Sequence, residues 1–101
     1  MIEEPTTVRA ARANIAQRSV KALPERLQGE HLPSQPTWDC ASCEGQIPWP
    51  CDPARARLAE AYGENRISLS MYLASLLDAA LVEMPDTSPA ELHERFVSWT
   101  R

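Results

Sequence analysis

The sequence predicts an all-α fold, a small domain of about four helices with an irregular loop inserted after the first helix. Apolar residues recur at helical spacing, and helix start and stop signals stand at the ends of these stretches. The prolines at positions 33, 36, 48, 50 and 53 forbid a long helix between residues 28 and 53 and discourage sheet there. With 101 residues, the chain is expected to form a single domain over residues 1–101, with disorder in residues 1–5.

The first helix is expected to begin at Thr6 or Thr7, since either hydroxyl can cap it. Pro24 ends this helix or starts a short new turn. Ser19 interrupts the apolar stripe, so the helix is expected to pack at the edge of the core. The predicted apolar face is narrow and consists of Val8, Ala11, Ile15 and Ala22.

The second helix is predicted to start at Asp52 and Pro53, with the carboxylate as cap and the proline in the first helical position. Gly63 supplies a natural stop. The expected apolar face is made of Ala54, Leu58, Ala61 and Tyr62.

The third helix, "LSMYLASLLDAALVEM", is expected to open at Ser68 and to form the buried centre of the bundle, because it is apolar on nearly every side. It is too short and, with Asp78, too polar to span a bilayer. Its apolar surface exceeds what three short neighbours are expected to cover, which favours a protein partner or a homodimer. The residues behind that expectation are Leu69, Leu73, Leu76 and Leu81.

The last helix is predicted from a capping box, in which Ser88 precedes Glu91 by three residues. Its docking face consists of Leu92, Phe96 and Trp99.

All three cysteines lie in the loop, and they point to a metal site. Cys40 and Cys43 form C-x-x-C, a spacing that lets two thiolates reach one ion, and Gly45 suits the tight turn this requires. Cys51 stands at the start of a helix, where the helix dipole is expected to lower its pKa. His31 would complete a closed Cys₃His set of the structural Zn²⁺ type.

Several alternatives stay open at this point. The cysteines could be small buried hydrophobes, or a dithiol redox pair, or ligands of an iron–sulfur cluster. His31 could be an exposed loop residue, with His93 of the last helix as the fourth ligand. A catalytic zinc with Glu44 as general base has no supporting pattern. Trp38 and Trp49 flank the cysteines and are expected to shield them from water, or else to form a partner-binding surface.

Charge and the N-terminal sequence narrow the function classes. The formal net charge of −4 argues against nucleic acid as a partner, and the arginines of the first helix form no single stripe. The N-terminus starts acidic and carries no continuous apolar stretch, so we expect neither a secretory signal nor a membrane anchor. The protein is therefore expected in the cytoplasm, where thiols stay reduced.

The order of His31, "CASC" and "PWPC", followed by helices ending in "RFVSWTR", resembles a group of small, uncharacterised actinobacterial proteins with an H…C-x-x-C…WPC signature. The resemblance covers residues 31–101 and implies His31, Cys40, Cys43 and Cys51 as a zinc set. Some members carry a flavin reductase label, but this sequence contains no recognisable flavin-phosphate or isoalloxazine site.

These observations together predict a small intracellular zinc-binding protein that acts as a binding or regulatory accessory protein, with another protein or a second copy as partner. The alternative is a minor enzyme or redox component, either a flavin-linked reductase or an iron–sulfur sensor.

Overall fold

The computed structural model describes residues 4–101, with side chains from residue 11 onward. The described part of the chain contains four helices, α1 (Glu4–Arg26), α2 (Asp52–Tyr62), α3 (Arg66–Glu83) and α4 (Pro89–Phe96), and a 3₁₀ turn at Ser98–Thr100. Two short strands, β1 (Pro33–Ser34) and β2 (Asp39–Cys40), lie between α1 and α2. A mainly helical domain is confirmed, but the strands make "all-α" only approximate.

The two strands pair antiparallel despite the prolines that were expected to discourage sheet. Pro33 lies opposite Cys40, and Pro48 forms an isolated bridge with Asp39. The N–H groups that donate across the loop belong to other residues: Cys40 donates to the carbonyl of Ile47, and Ala41 to that of Leu32, both at 2.8 Å. The prolines therefore occupy positions where no N–H donor is needed.

Helix α1 begins at Glu4, ahead of the predicted cap at Thr6 or Thr7, and it contains Pro24. Residues 1–3 of the segment expected to be disordered lie outside the described residues. The predicted apolar face of α1 is wrong, because Ile15 is 50% exposed and Ala11 is also exposed. Val8 lies among the side chains that are not described. The residues that pack on the core are Ala16, Val20 and Leu23 of α1 and Leu27 directly after it.

Ser19, which interrupts the predicted stripe, joins α1 to α3. Its hydroxyl lies 2.6 Å from that of Ser75, and its carbonyl accepts a 2.7 Å hydrogen bond from the hydroxyl of Tyr72. A polar residue thus lies at the helix interface because its hydrogen bonds are satisfied there.

Helix α2 follows the prediction except at its N-cap and at one residue of its apolar face. The N-cap is Cys51, so Asp52 is the first helical residue rather than the cap. Gly63 ends the helix with a φ of 59°, and its N–H donates to the carbonyl of Ala59. Of the expected apolar face, Ala54 and Leu58 are buried, Tyr62 is half-buried and Ala61 is exposed.

Helix α3 is the central helix, and it starts two residues before the predicted Ser68. Asn65 caps it by accepting a hydrogen bond from the N–H of Ser68. The leucines expected to leave apolar surface uncovered are packed within the chain: Leu69, Leu73 and Leu76 are buried, and Leu81 is half-buried. They therefore give no reason for association, which stays a prediction. The large apolar side chains that α3 does expose are Ile67, Met71 and Val82.

Helix α4 starts as predicted, with Ser88 accepting a hydrogen bond from the N–H of Glu91. Leu92 and Phe96 are fully buried, whereas Trp99, in the 3₁₀ turn, is half-buried.

The loop contributes two large residues to the core. Trp38, Trp49 and Phe96 are fully buried and pack with ring centroids 5.4 to 5.9 Å apart. The loop is therefore anchored against α4 by aromatic packing. Among the described residues, no helix combines the length and apolar character needed to cross a membrane.

Candidate metal centre

The four residues predicted as ligands come together in one cluster. His31 follows α1, Cys40 ends β2, Cys43 lies in the turn after it, and Cys51 is the N-cap of α2. Their ligand atoms all lie within 4.8 Å of one another, so these side chains could hold a metal ion.

The distances between donor atoms match the edges of a tetrahedron around one small cation. Nδ1 of His31 lies 3.4 Å from the sulfurs of Cys40 and Cys51 and 3.7 Å from that of Cys43. The sulfurs of Cys40 and Cys51 are 3.6 Å apart. Zn–S bonds of about 2.3 Å and Zn–N bonds of about 2.0 Å would give tetrahedral edges of about 3.8 Å between sulfurs and about 3.5 Å between sulfur and nitrogen. The arrangement is thus close to what four-coordinate zinc requires.

The backbone of His31 is held on both sides. Its N–H donates to the hydroxyl of Ser42 at 2.9 Å, and its carbonyl accepts from Nε1 of Trp49 at 2.8 Å. The residue has a positive φ of 56°, a conformation that side-chain-bearing residues seldom adopt. Two hydrogen bonds hold this left-handed backbone conformation, which sets the direction in which the His31 side chain leaves the main chain.

The C-x-x-C turn presents backbone N–H groups to the sulfur of Cys40. Burial raises the pKa of the Cys40 thiol, but hydrogen bonds from the backbone of Ser42 and Cys43 and from the His31 ring outweigh it and bring that pKa to about 7. Gly45 has a φ of 80°, which completes the tight turn at little cost because glycine lacks a Cβ.

The pKa values of the other two thiols are raised, for different reasons. Hydrogen bonding to Cys40 is the main cause that raises the pKa of Cys43. Burial raises the pKa of Cys51; the N–H of Ala54 at the start of α2 lowers it, but the neighbouring thiols contribute to a pKa of about 12. The expected lowering of the Cys51 pKa by the helix start is thus outweighed. Three adjacent thiolates need a positive charge between them, which a divalent cation supplies.

Other predicted residues take different places. His93 is exposed on α4 and is not among the clustered donors. Trp38 and Trp49 are fully buried, which fits the expected shielding of the sulfurs and rules out a partner-binding surface made by these two side chains.

Two residues that the sequence did not single out hold the loop in place. Arg95 of α4 donates from Nε to the carbonyl of Trp49 at 2.7 Å and from Nη2 to the carbonyl of Trp38. Glu83 of α3 accepts from Nε1 of Trp38 at 2.6 Å and from the amide of Gln35 at 2.9 Å. Both are far from the cysteines in sequence, so no local motif could have indicated them.

Comparisons of the chain with models of protein families, with curated proteins and with solved structures found no match.

Proposed function

We propose that the protein binds one Zn²⁺ through His31, Cys40, Cys43 and Cys51, and that the ion holds the fold of a small binding or regulatory accessory protein. The single observation that carries the proposal is the clustering of the four donor atoms within 4.8 Å of one another, with four of the donor-to-donor distances at 3.4 to 3.7 Å.

The choice of zinc is supported by ligand chemistry. Three sulfurs and one imidazole in a tetrahedron suit zinc, whereas hard cations such as Mg²⁺ and Ca²⁺ take oxygen ligands. An iron–sulfur cluster would place its irons and bridging sulfides between the ligands and hold them further apart than the 4.8 Å limit of this group. One ion therefore fits better than a cluster.

A structural role is favoured over a catalytic one because four protein ligands fill the coordination of zinc and leave no open position for a substrate. The ligands come from both sides of the loop, so the ion would join the end of α1 to the start of α2. The ion would thereby keep Trp38 and Trp49 packed against Phe96.

Metal analysis of protein purified without a tag tests the proposal. We expect one zinc per chain and a colourless solution; visible absorbance would instead point to iron–sulfur or flavin. Single substitutions test the ligand set: zinc binding should fall severely for Cys40→Ser, Cys43→Ser and Cys51→Ser and clearly for His31→Ala, with His93→Ala as the unaffected control. Retention of zinc by His31→Ala and its loss in His93→Ala would refute the assignment of the fourth ligand.

The accessory role, a cytoplasmic location and a partner that is another protein or a second copy are parts of the same proposal. They are supported by the closed ligand set and by the acidic net charge of −4, which disfavours nucleic acid. Sedimentation of the zinc-loaded protein over a range of concentrations tests self-association. The resemblance to the small actinobacterial proteins adds the proposal that they bind zinc through the same four positions.

A further inference from the structure

The three sulfurs of the metal centre differ in their access to solvent. The side chains of Cys40 and Cys51 are only 5% and 4% exposed, because they face the aromatic core of the loop. Cys43 is half-buried, and its neighbours Ser42 and Glu44 are exposed. Of the three cysteines, Cys43 is therefore the residue most accessible to a small solute arriving from water.

A second sulfur lies close enough to complete a disulfide. Cys40 and Cys43 belong to the same four-residue turn, and their sulfurs lie within the 4.8 Å limit of the cluster. Because only two residues separate them, they stay neighbours even when the rest of the loop moves. Cys51 is the N-cap of α2, and its sulfur lies 3.6 Å from that of Cys40. Ten residues separate these two cysteines in the chain, so their proximity depends on the packing of the loop.

We propose that Cys43 is a site of oxidative modification by hydroperoxides, at which formation of a Cys40–Cys43 disulfide releases the zinc. The inference rests on the proposed zinc site, and it assigns that site a regulation by oxidant. An oxidant would then remove the metal from its site, and a reductant with added zinc would restore it.

The chemistry balances with a hydroperoxide as the only co-reactant. The Cys43 thiolate attacks the outer peroxide oxygen, the O–O bond breaks, and the products are a sulfenic acid and an alkoxide or hydroxide. The Cys40 thiolate then attacks the Cys43 sulfur and expels hydroxide, and a disulfide forms. Two thiolates have lost two electrons, the peroxide has gained them, and water protonates the two anions released.

Zinc leaves because its ligand set is destroyed. After oxidation only His31 and Cys51 keep a free donor, and a disulfide sulfur is a poor ligand for zinc compared with a thiolate. The loop would then be held only by its contacts with the helices and within itself, such as the hydrogen bonds from Arg95 and to Glu83 and the packing of Trp38 and Trp49 on Phe96. Zinc release is thus coupled to loosening of the segment between α1 and α2.

The first experiment follows zinc release from the zinc-loaded protein treated with hydrogen peroxide, using a chromogenic chelator. We expect release that is reversed by a dithiol reductant and added zinc. A chain that holds no zinc before peroxide is added refutes the proposed function itself. A chain that holds zinc and keeps it in peroxide refutes only this inference.

Peptide mapping identifies which two cysteines form the disulfide. After free thiols are alkylated, a protease that cuts after glutamate cleaves at Glu30 and Glu44, which separates Cys51 from the other two cysteines. We expect the 31–44 peptide to carry an internal disulfide and the Cys51 peptide to be alkylated. A disulfide that links the two peptides would overturn the assignment of Cys40 as the resolving thiol.

The matched variant is Cys43→His, which replaces the accessible sulfur with a nitrogen ligand and leaves a Cys₂His₂ set. Once this variant has been loaded with zinc, it should release the ion in peroxide at least about tenfold more slowly than the native chain, because the reactive thiolate is gone. Equal release rates would overturn the inference. If the variant does not fold, alkylation of the zinc-loaded native chain decides: modification of Cys43 first supports the proposal, and modification of Cys40 or Cys51 first overturns it.

Discussion

Replacing Trp49 with phenylalanine removes one hydrogen-bond donor from behind the metal centre while keeping an aromatic ring in the core. Nε1 of Trp49 is the donor to the carbonyl of His31, at 2.8 Å, and the ring packs 5.8 Å from Phe96. The phenyl ring of the variant can keep that aromatic contact. What it cannot keep is the hydrogen bond that holds a proposed ligand residue at a φ of 56°.

Two costs can be worked out from this geometry. Leaving a part-buried carbonyl unpaired costs about 1–3 kcal/mol, and the smaller ring leaves a cavity worth about 1 kcal/mol more. Loss of a hydrogen-bond partner behind a metal ligand lowers metal affinity by about 10–100-fold. We therefore expect Trp49→Phe to lose about 2–4 kcal/mol of unfolding free energy and to bind zinc about 10–100-fold more weakly.

Trp38→Phe is the matched control. Trp38 is also fully buried and packs on Phe96, but its indole donates to Glu83 instead of His31. Urea unfolding should show similar losses of stability for both variants, while competition with a zinc chelator should show the large loss of affinity only for Trp49→Phe. Equal zinc affinities in the two variants would refute the argument that the Trp49 hydrogen bond positions His31.

Three further predictions concern metal removal, the anchor from α4 and pH. Chelation should lower the melting temperature and speed amide exchange in residues 31–60 while helical circular dichroism largely persists, because the helices bury apolar faces of their own; complete unfolding would contradict this. Arg95→Gln should lower the free energy of unfolding by about 2–4 kcal/mol in urea, because it removes charged donors from two carbonyls. The control Arg12→Gln, at an exposed position of α1, should change it by less than about 0.5 kcal/mol. Burial raises the pKa of Tyr72 from 10.0 to about 12, so its contribution to stability is complete below pH 10 and is lost as pH rises towards 12. At pH 11 the native chain should have lost about 1.4 kcal/mol more unfolding free energy than Tyr72→Phe. Equal pH profiles of stability for the two chains would contradict this prediction.

The candidate site could be predicted from the sequence because its determinants are local. C-x-x-C spacing, a glycine two residues later and a cysteine at a helix start are all contained within a short stretch of chain. The positions of Arg95 and Glu83 could not be predicted in this way. Their hydrogen bonds to the loop join residues 45 to 57 positions apart, and only the folded chain brings them together.

The fold was predictable where start and stop signals agree with packing, as at Gly63 and Ser88. The prediction of the buried face of α1 is wrong because the predicted stripe contains Ile15 and Ala22, each one residue before the buried Ala16 and Leu23. Ala16, Val20, Leu23 and Leu27 follow one another at steps of four, three and four, which is a better helical stripe than the predicted one. The prolines of the loop could not predict the small sheet, because proline usually disfavours sheet but can occupy strand positions that donate no hydrogen bond.

The span of the ligand set has a consequence for chain entropy. His31 and Cys51 are 20 residues apart, so a shared ion acts as a cross-link that closes a loop of that length. A permanent cross-link that closes a loop of about 15 residues lowers the conformational entropy of the unfolded chain, which stabilises the folded state by about 3 kcal/mol. Each doubling of the loop length changes this stabilisation by only about 0.6 kcal/mol. The exposed residues 44–46 lie between two of the ligands, where insertions would add little to this cost. Sites built on the same plan are therefore expected to conserve the C-x-x-C spacing while the distance from Cys43 to Cys51 drifts.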